Sequence, residues 1–249
     1  MGAMIDRAVE LGFDHFSTGH YARVIVSKIT GLYELHKGVS EHKDQSYVLY
    51  NLTQSKLAHL VFPLGDLTKE EVKKLAAIND LVDPLRGESQ DICFISDGDY
   101  AAYVSKLNDL GSQPGDFIDT SGSKLGRHNG TARYTVGQRK GIGISAGYPL
   151  FVISKDPVRN TVTLGPEEEL FAGGMTVSKV NLIDPEETVT GKTIQVKIRY
   201  ASKPAEAVIT HIVDETARVV FDKPQRAVAP GQSAVFYDGT RVIGGGVID

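Results

Sequence analysis

Five short apolar segments, Thr193 to Tyr200, Ala205 to Val213, Ala217 to Phe221, Ser233 to Tyr237 and Val242 to Ile248, follow one another at roughly ten-residue spacing. Strands at regular spacing with turn signals between them predict a small β-barrel or sandwich at the C-terminal end. Phe117-Ile118, Phe151 to Ser154 and Thr161 to Leu164 also read as strands, the last two joined by a turn around Asp156 to Asn160. Residues 1 to about 107 have another texture, in which helical and strand patterns alternate in the α/β manner. There Ile5 to Leu11 predicts a helix, Phe13 to Ser17 a strand, and Ser46 to Leu52 and Ser55 to Leu60 carry helical spacing. Thr68-Lys69-Glu70-Glu71 is a capping box: the Thr68 hydroxyl and the Glu71 carboxylate can satisfy exposed amides reciprocally. Its helix is expected to reach Asn79, with Pro84 in the loop beyond. A strand around Cys93 and a helix from Asp99 to Leu107 complete this part. Domain boundaries are expected near residue 100 and at Ala172-Gly173-Gly174, giving segments 1–100, 101–173 and 174–249.

Hydrophobic residues at 41% and charged residues at 23% describe an ordinary soluble globular chain, and 249 residues favour more than one domain. No apolar run is long enough to span a bilayer, and the first residues lack the pattern of a signal peptide. With one cysteine as well, the composition suits a reducing cytoplasm and no membrane partner. A net charge of −4 does not by itself indicate a nucleic-acid binder. It conceals a local excess. From Thr120 to Lys155 there is no Asp or Glu, while Lys124, Arg127, Arg133, Arg139, Lys140 and Lys155 are present, with His128 and Tyr134 among them. Cations without acids in their own segment repel one another unless an anion neutralises them. A phosphate backbone is the first reading. A solvated basic face and a small anion such as pyrophosphate are the others.

Cys93 is the only cysteine, within Glu88-Ser89-Gln90-Asp91-Ile92-Cys93-Phe94-Ile95. A lone thiol can form no internal disulfide and no zinc site, so no residue is assigned to a metal. Ile92, Phe94 and Ile95 favour an inert core thiol, whereas the polar residues at one end put Cys93 near a strand terminus, where α/β sites form. Both readings stay open. The α/β part is also incomplete as a doubly wound sheet. No Gly-rich phosphate loop precedes its first strand, and Gly141-Ile142-Gly143 is too short and wrongly placed to substitute. A missing N-terminal part is the simplest expectation, with Met1-Gly2-Ala3-Met4 as a scar or late start.

Five ordered motifs carry a family resemblance: Thr18-Gly19-His20-Tyr21-Ala22-Arg23, His42-Lys43-Asp44-Gln45-Ser46-Tyr47, the Glu88 to Ile95 segment, Tyr134-Thr135-Val136-Gly137-Gln138-Arg139-Lys140-Gly141 and Ala229-Pro230-Gly231-Gln232-Ser233-Ala234-Val235. Together, and over nearly the whole chain, they resemble the tRNA-specific 2-thiouridylases. The resemblance implies part of an ATP-pyrophosphatase domain of the adenine nucleotide α-hydrolase type, a small β-rich central tRNA-binding domain and a C-terminal β-barrel. It implies an enzyme that adenylates O2 of the wobble uridine of tRNA with ATP. A persulfide sulfur then displaces AMP. ATP, with magnesium accompanying it in the complete enzyme, the anticodon arm of tRNA and a persulfide-carrying donor protein are the implied ligands and partners.

On this resemblance Cys93 would receive sulfur as a persulfide, and Gly19 would let the backbone approach the adenylate because it has no Cβ. His20 would contact tRNA beside the target nucleotide. Lys43, Asp44 and Gln45 would contact tRNA as a triplet, and Arg199, Tyr200 and Gln232 from the barrel. Each residue has a plainer reading. Gly19 can simply permit a turn, and His20 can be a structural histidine. Lys43 and Asp44 can start a helix, Arg199 and Tyr200 can end a strand, and Gln232 can decorate a turn.

The family's Ser-Gly-Gly-x-Asp-Ser phosphate loop and its Asn-Pro-Asp-x-x-Cys segment, with a catalytic Asp and second cysteine, do not occur in this sequence. Phosphoryl chemistry needs positioned donors and metal, and release of sulfur from a persulfide needs a second thiol or equivalent reductant. The isolated chain is therefore expected not to turn over. An RNA-binding module without catalysis and a thiol sulfur carrier are the competing functional classes.

Overall fold

The computed structural model of the chain describes residues 1–81 and 111–249. The expected Cys93 strand, the Asp99 to Leu107 helix and the boundary near residue 100 lie outside the described residues. In chain order the elements are α1 (Gly2–Glu10), β1 (Phe16–Ser17), β2 (Ala22–Val26), β3 (Tyr33–Lys37), α2 (Gln54–Leu57), β4 (Leu60–Val61) and α3 (Lys69–Ile78). There follow β5 (Gly115–Ile118), β6 (Lys124–His128), β7 (Phe151–Asp156), β8 (Thr161–Gly165), β9 (Phe171–Leu182), β10 (Thr193–Lys197), β11 (Ala205–Val213), β12 (Thr216–Arg226), β13 (Ser233–Asp238) and β14 (Arg241–Ile248). Of the described residues, those within Met1–Arg86, Gly174–Lys223 and Pro230–Asp249 form one unit, and those within Gly87–Gly173 and Pro224–Ala229 form a second.

The first unit contains the expected barrel. Strands β13, β10, β11, β12, β9 and β14 are neighbours in that order, and β13 pairs with β14 to close the ring. Alternation does the sorting: in β12, Ala217, Val219 and Phe221 turn inward and their neighbours outward, as a period of two requires. Strands β2, β3, β4 and β9 of this unit were not legible from the sequence. Strand β9 runs through Ala172-Gly173-Gly174, which reads as a linker because of its glycines. A Cβ at Gly174 would lie 2.6 Å from the Val219 carbonyl oxygen, so that glycine serves close strand packing. The β2–β3 hairpin extends the barrel sheet, with Arg241 opposite His36 and Val242 opposite Leu35. Its partner strand lies far downstream, so no local pattern reveals it. Ala22 and Leu35, both at 0% exposure, join Ile183, Val235, Tyr237 and Val242 in one core cluster.

The α/β texture survives in reduced form. Strands β1 and β4 pair in parallel, Phe16 with Leu60 and Ser17 with Val61, and α1 packs beside them. The capping box of α3 is formed as expected, with the Glu71 amide on Thr68 Oγ1 at 3.3 Å and the Thr68 amide on Glu71 Oε2 at 2.7 Å. The helical spacing at Ser46 to Leu52 yields only a 3-10 turn, Ser46–Val48. Asp44 side-chain hydrogen bonds hold the chain there in a turn, which competes with helix propagation.

In the second unit β6, β5, β8 and β7 form one sheet, parallel between β5 and β8 and otherwise antiparallel. Its core takes in two residues of the basic window. His128 and Tyr134 are not presented to a ligand: His128 is 1% exposed, and the rings of Phe117, His128 and Tyr134 meet edge-on at centroid distances of 5.1 to 5.7 Å. The Gly130 amide donates to His128 Nδ1 at 3.0 Å, so the imidazole is held neutral with its proton on Nε2. Burial pushes the His128 pKa below its ordinary value of 6.5. As pH falls below 6.5 the unfolded chain binds this proton first, so the stability is intact above that value and lost as pH falls toward the folded pKa. The melting temperature is therefore expected to drop between pH 7.5 and pH 5, and to drop less in His128→Gln. Equal drops in the two proteins would exclude the role.

Candidate nucleic-acid interface

The segment Thr18 to Tyr21 leaves the end of β1, where the Thr18 amide still bonds the Val61 carbonyl at 3.2 Å. Gly19 is exposed, its φ is not in the left-handed region, and an added Cβ would meet only Leu64 Cδ1 at 3.6 Å, an ordinary contact. Among the described residues neither a turn nor packing requires glycine here, so the open side of this backbone can admit a ligand edge closely. His20 Nδ1 lies 2.9 Å from Thr18 Oγ1, and its ring stands edge-on to Phe62 at 5.9 Å. Burial pushes the His20 pKa below the ordinary 6.5, which favours the neutral ring at pH 7. Thr18, His20 and Asn51 are the polar side chains lining a cavity of about 450 Å³ whose apolar walls include Phe16, Leu49 and Leu52. That volume accommodates a nucleobase or a nucleotide.

A second expected group is fastened directly to the first. The Gln45 amide donates to the Tyr21 carbonyl at 2.9 Å, and the Tyr21 amide donates to Gln45 Oε1 at 3.0 Å. Asp44 is 8% exposed, and both of its carboxylate oxygens are used inside the protein. Oδ1 accepts from the amides of Gly38 at 3.2 Å and Ser46 at 3.1 Å, and Oδ2 accepts from the Ser46 hydroxyl at 2.9 Å. Ser46 Oγ in turn lies 3.2 Å from the Tyr237 hydroxyl in the barrel. The Asp44 carboxylate is thus turned to its own loop. Asp44 and Gln45 shape the loop, and Lys43 is the half-buried cation that the loop carries.

The barrel residues meet the same loop. Arg199 and Tyr200 follow β10 in a turn closed by the Arg199 amide on Ser202 Oγ at 3.2 Å and by the Ser202 amide on the Arg199 carbonyl at 3.1 Å. Tyr200 is 47% exposed, and its ring stands 6.0 Å from that of Tyr47 at 71°. The Tyr47 hydroxyl donates to the Ser233 carbonyl at 2.8 Å, and burial raises its pKa to about 12. Ser233 adjoins Gln232, which is exposed while its carbonyl accepts from the Ile248 amide at 2.8 Å. The loops that carry Gly19-His20, Lys43 to Gln45, Arg199-Tyr200 and Gln232 are therefore joined to one another within the first unit. Cys93 lies outside the described residues.

In the second unit the Tyr134 to Gly141 motif is a braced loop. Tyr134 and Val136 are buried, Gln138 Oε1 accepts the Thr135 amide at 3.0 Å, and its Nε2 donates to the Lys140 carbonyl at 2.9 Å. The brace leaves Arg133, Arg139 and Lys140 exposed, and no carboxylate among the described residues lies within ion-pair distance of them. Lys124 is different: Asp116, just outside the acid-free window, pairs with it at 2.7 Å.

Three family models match the chain. They are a tRNA methyl transferase HUP domain over residues 1–97, a tRNA methyl transferase PRC-barrel domain over 107–166 and an aminomethyltransferase beta-barrel domain over 172–248. Among curated proteins, the chain is 44% identical over 246 residues to the tRNA-specific 2-thiouridylase MnmA of Acetivibrio thermocellus, covering 99% of this chain and 68% of that protein. The MnmA of Clostridioides difficile is 44% identical, with 98% of this chain and 67% of the relative covered. That of Carboxydothermus hydrogenoformans is 43% identical, with 99% and 68% covered. The chain belongs to the tRNA-specific 2-thiouridylase family.

For this member of the 2-thiouridylase family, sequence reasoning did not single out Tyr47 and Lys197, which both adjoin Tyr200. Tyr47 stood within a quoted motif, but its spacing read as helix. Lys197 stood in a predicted strand, where nothing local distinguishes an outward lysine from a solvated one. Among the described residues no helix is long and apolar enough to cross a membrane.

Proposed function

We propose that this chain supplies the tRNA-holding surface and the sulfur-bearing cysteine for 2-thiolation of the wobble uridine. The observation that carries the reading is the joining, through Gln45, Ser46, Tyr47 and Ser233, of contact groups that are widely separated in sequence. Such a surface suits an unstacked loop nucleotide: aromatic rings take its base, cations its phosphates, and a neutral histidine beside a 450 Å³ cavity receives the base removed from its stack. The domain division 1–100, 101–173 and 174–249 assigns these groups to the catalytic part and the barrel, and Arg133, Arg139 and Lys140 to a central tRNA-binding domain.

ATP supplies the adenylyl group that activates O2 of the uridine. The open face of Gly19 fits the approach of an adenylate, and no residue run of this chain fits the phosphates as a Gly-rich loop would. Cys93 holds the outer sulfur of a persulfide, which attacks C2 as AMP leaves and gives a mixed disulfide between Cys93 and the base. A second thiol then attacks the Cys93 sulfur, so that the disulfide bond breaks and the sulfur stays on C2. This sequence has one cysteine, so that reductant, like the persulfide-carrying donor protein, comes from outside these 249 residues.

Filter binding of an unmodified tRNA transcript tests the binding claim. Arg199→Glu and Arg139→Glu are each expected to weaken binding about tenfold at low salt, whereas Cys93→Ser leaves it unchanged. A persulfide donor should add one sulfur mass to the wild-type chain and none to Cys93→Ser. The chain alone, given ATP and that donor, should form no 2-thiouridine. Tight binding insensitive to both arginine variants would defeat the interface, and product from the chain alone would defeat the assignment of inactivity.

A further inference from the structure

In β10, Ile194 and Val196 point into the barrel, so Lys197, the last residue of the strand, points out of it. It emerges beneath the turn that carries Arg199 and Tyr200. Its ammonium lies 5.8 Å from the centroid of the Tyr47 ring and 5.5 Å from that of Tyr200, within cation–π range of both. The two rings are not equivalent. Tyr47 is 6% exposed and pinned through its hydroxyl, whereas Tyr200 is 47% exposed and bonded to nothing through its hydroxyl among the described residues. Lys197 therefore links a fixed ring to a ring that must be held in place to be of use.

Ring faces satisfy a charge but accept few of its hydrogen bonds, and an ammonium has three N–H donors. Among the described residues, Lys197 Nζ makes these two ring contacts and has no hydrogen-bond acceptor and no carboxylate within ion-pair distance. The nearby Lys37 is differently placed, since it rests 4.4 Å from the Tyr237 centroid and donates to the Gly239 carbonyl at 2.9 Å. Asp44, which acts on Lys197 electrostatically, directs its oxygens to Gly38 and Ser46. An ammonium that rests on two rings and bonds to no described residue is available to an oxyanion.

We propose that Lys197 is a positioning and phosphate-contacting residue of this interface: it holds Tyr200 against Tyr47 as a platform for an unstacked nucleotide and takes the adjoining phosphate of the same RNA strand. A base on Tyr200 and a phosphate on Lys197 are neighbouring parts of one nucleotide, and this pairing of an aromatic platform with a backbone cation is how single strands are commonly held. The inference rests on the tRNA-binding reading given above.

The test is the salt dependence of binding of an unmodified tRNA transcript to the 249-residue chain. Lys197→Met is expected to raise Kd about fivefold at low salt and to reduce the slope of log K against log salt by about 0.7, the value for one single-strand phosphate contact. Lys197→Arg, which keeps the charge and the ring contact, should stay near wild type. Tyr200→Ala should raise Kd while leaving the slope unchanged. A slope unchanged in Lys197→Met overturns the assignment, whatever Kd does, and loss of slope in Lys197→Arg equal to that in Lys197→Met overturns it as well. If Arg199→Glu and Tyr200→Ala bind as wild type, the interface reading falls too. If they weaken binding while Lys197→Met keeps its slope, only Lys197 is misassigned.

Discussion

Asp44→Ala is expected to destabilise the first unit by about 3 kcal/mol, to lower its melting temperature by about 10 °C, and to weaken tRNA binding as a consequence. The carboxylate accepts the amides of Gly38 and Ser46, and Ser46 is 0% exposed, so the Ser46 amide in particular is left without water to replace the lost acceptor. An orphaned buried donor costs about 1–3 kcal/mol, more than a net hydrogen bond contributes. The same deletion cuts the link from Oδ2 through the Ser46 hydroxyl to Tyr237, which ties the loop to the barrel. Asp44→Asn keeps one oxygen for both amides and should lose less than half as much. Thermal melts and filter binding on the same preparations decide the matter. An unchanged melt with lost binding would mean that the carboxylate faces RNA, and the internal reading of Asp44 would be wrong.

Gly245→Ala should be comparably severe, about 3 kcal/mol or more, for a steric reason. Strand β14 packs its Gly244-Gly245-Gly246 run between β13 and β9, with register shifts on both sides. A Cβ at Gly245 would lie 2.5 Å from the Ala234 carbonyl oxygen and 2.8 Å from Tyr50 Cδ2. The first is backbone of a paired strand and cannot move without opening the barrel. At Gly173 an added Cβ meets nothing within 4 Å, so Gly173→Ala provides a control expected to stay within about 0.5 kcal/mol of wild type. Equal stability of the two variants, measured by denaturant unfolding, would show that β14 does not need its glycines for closure.

Much of this protein was legible from local pattern. Alternation in Ala217 to Phe221 and its neighbours places residues on two faces of a strand, whatever the partner, so the barrel strands could be read directly. The Thr68 capping box is a four-residue device complete in itself, and it formed as its sequence requires. The five motifs carried the family, since their order and chemistry are written along the chain. The acid-free window likewise foretold exposed cations at Arg133, Arg139 and Lys140.

Where local pattern failed, the cause was a partner distant in sequence. Ser46 to Leu52 has helical spacing, but Asp44 and the barrel hydroxyl of Tyr237 hold its start in a turn. His128 lies in the basic window by sequence, but Phe117 and Tyr134 enclose it. The sequence by itself determined most of the barrel strands, which family the motifs resemble and which residue types could meet RNA. Only the tertiary structure decided that Asp44 works inward, that the β2–β3 hairpin joins the barrel sheet and that Lys197 rests on two tyrosines. The physical reason is that a side chain's chemistry is local, whereas its direction and its partners are fixed by contacts that closure of the sheet brings together.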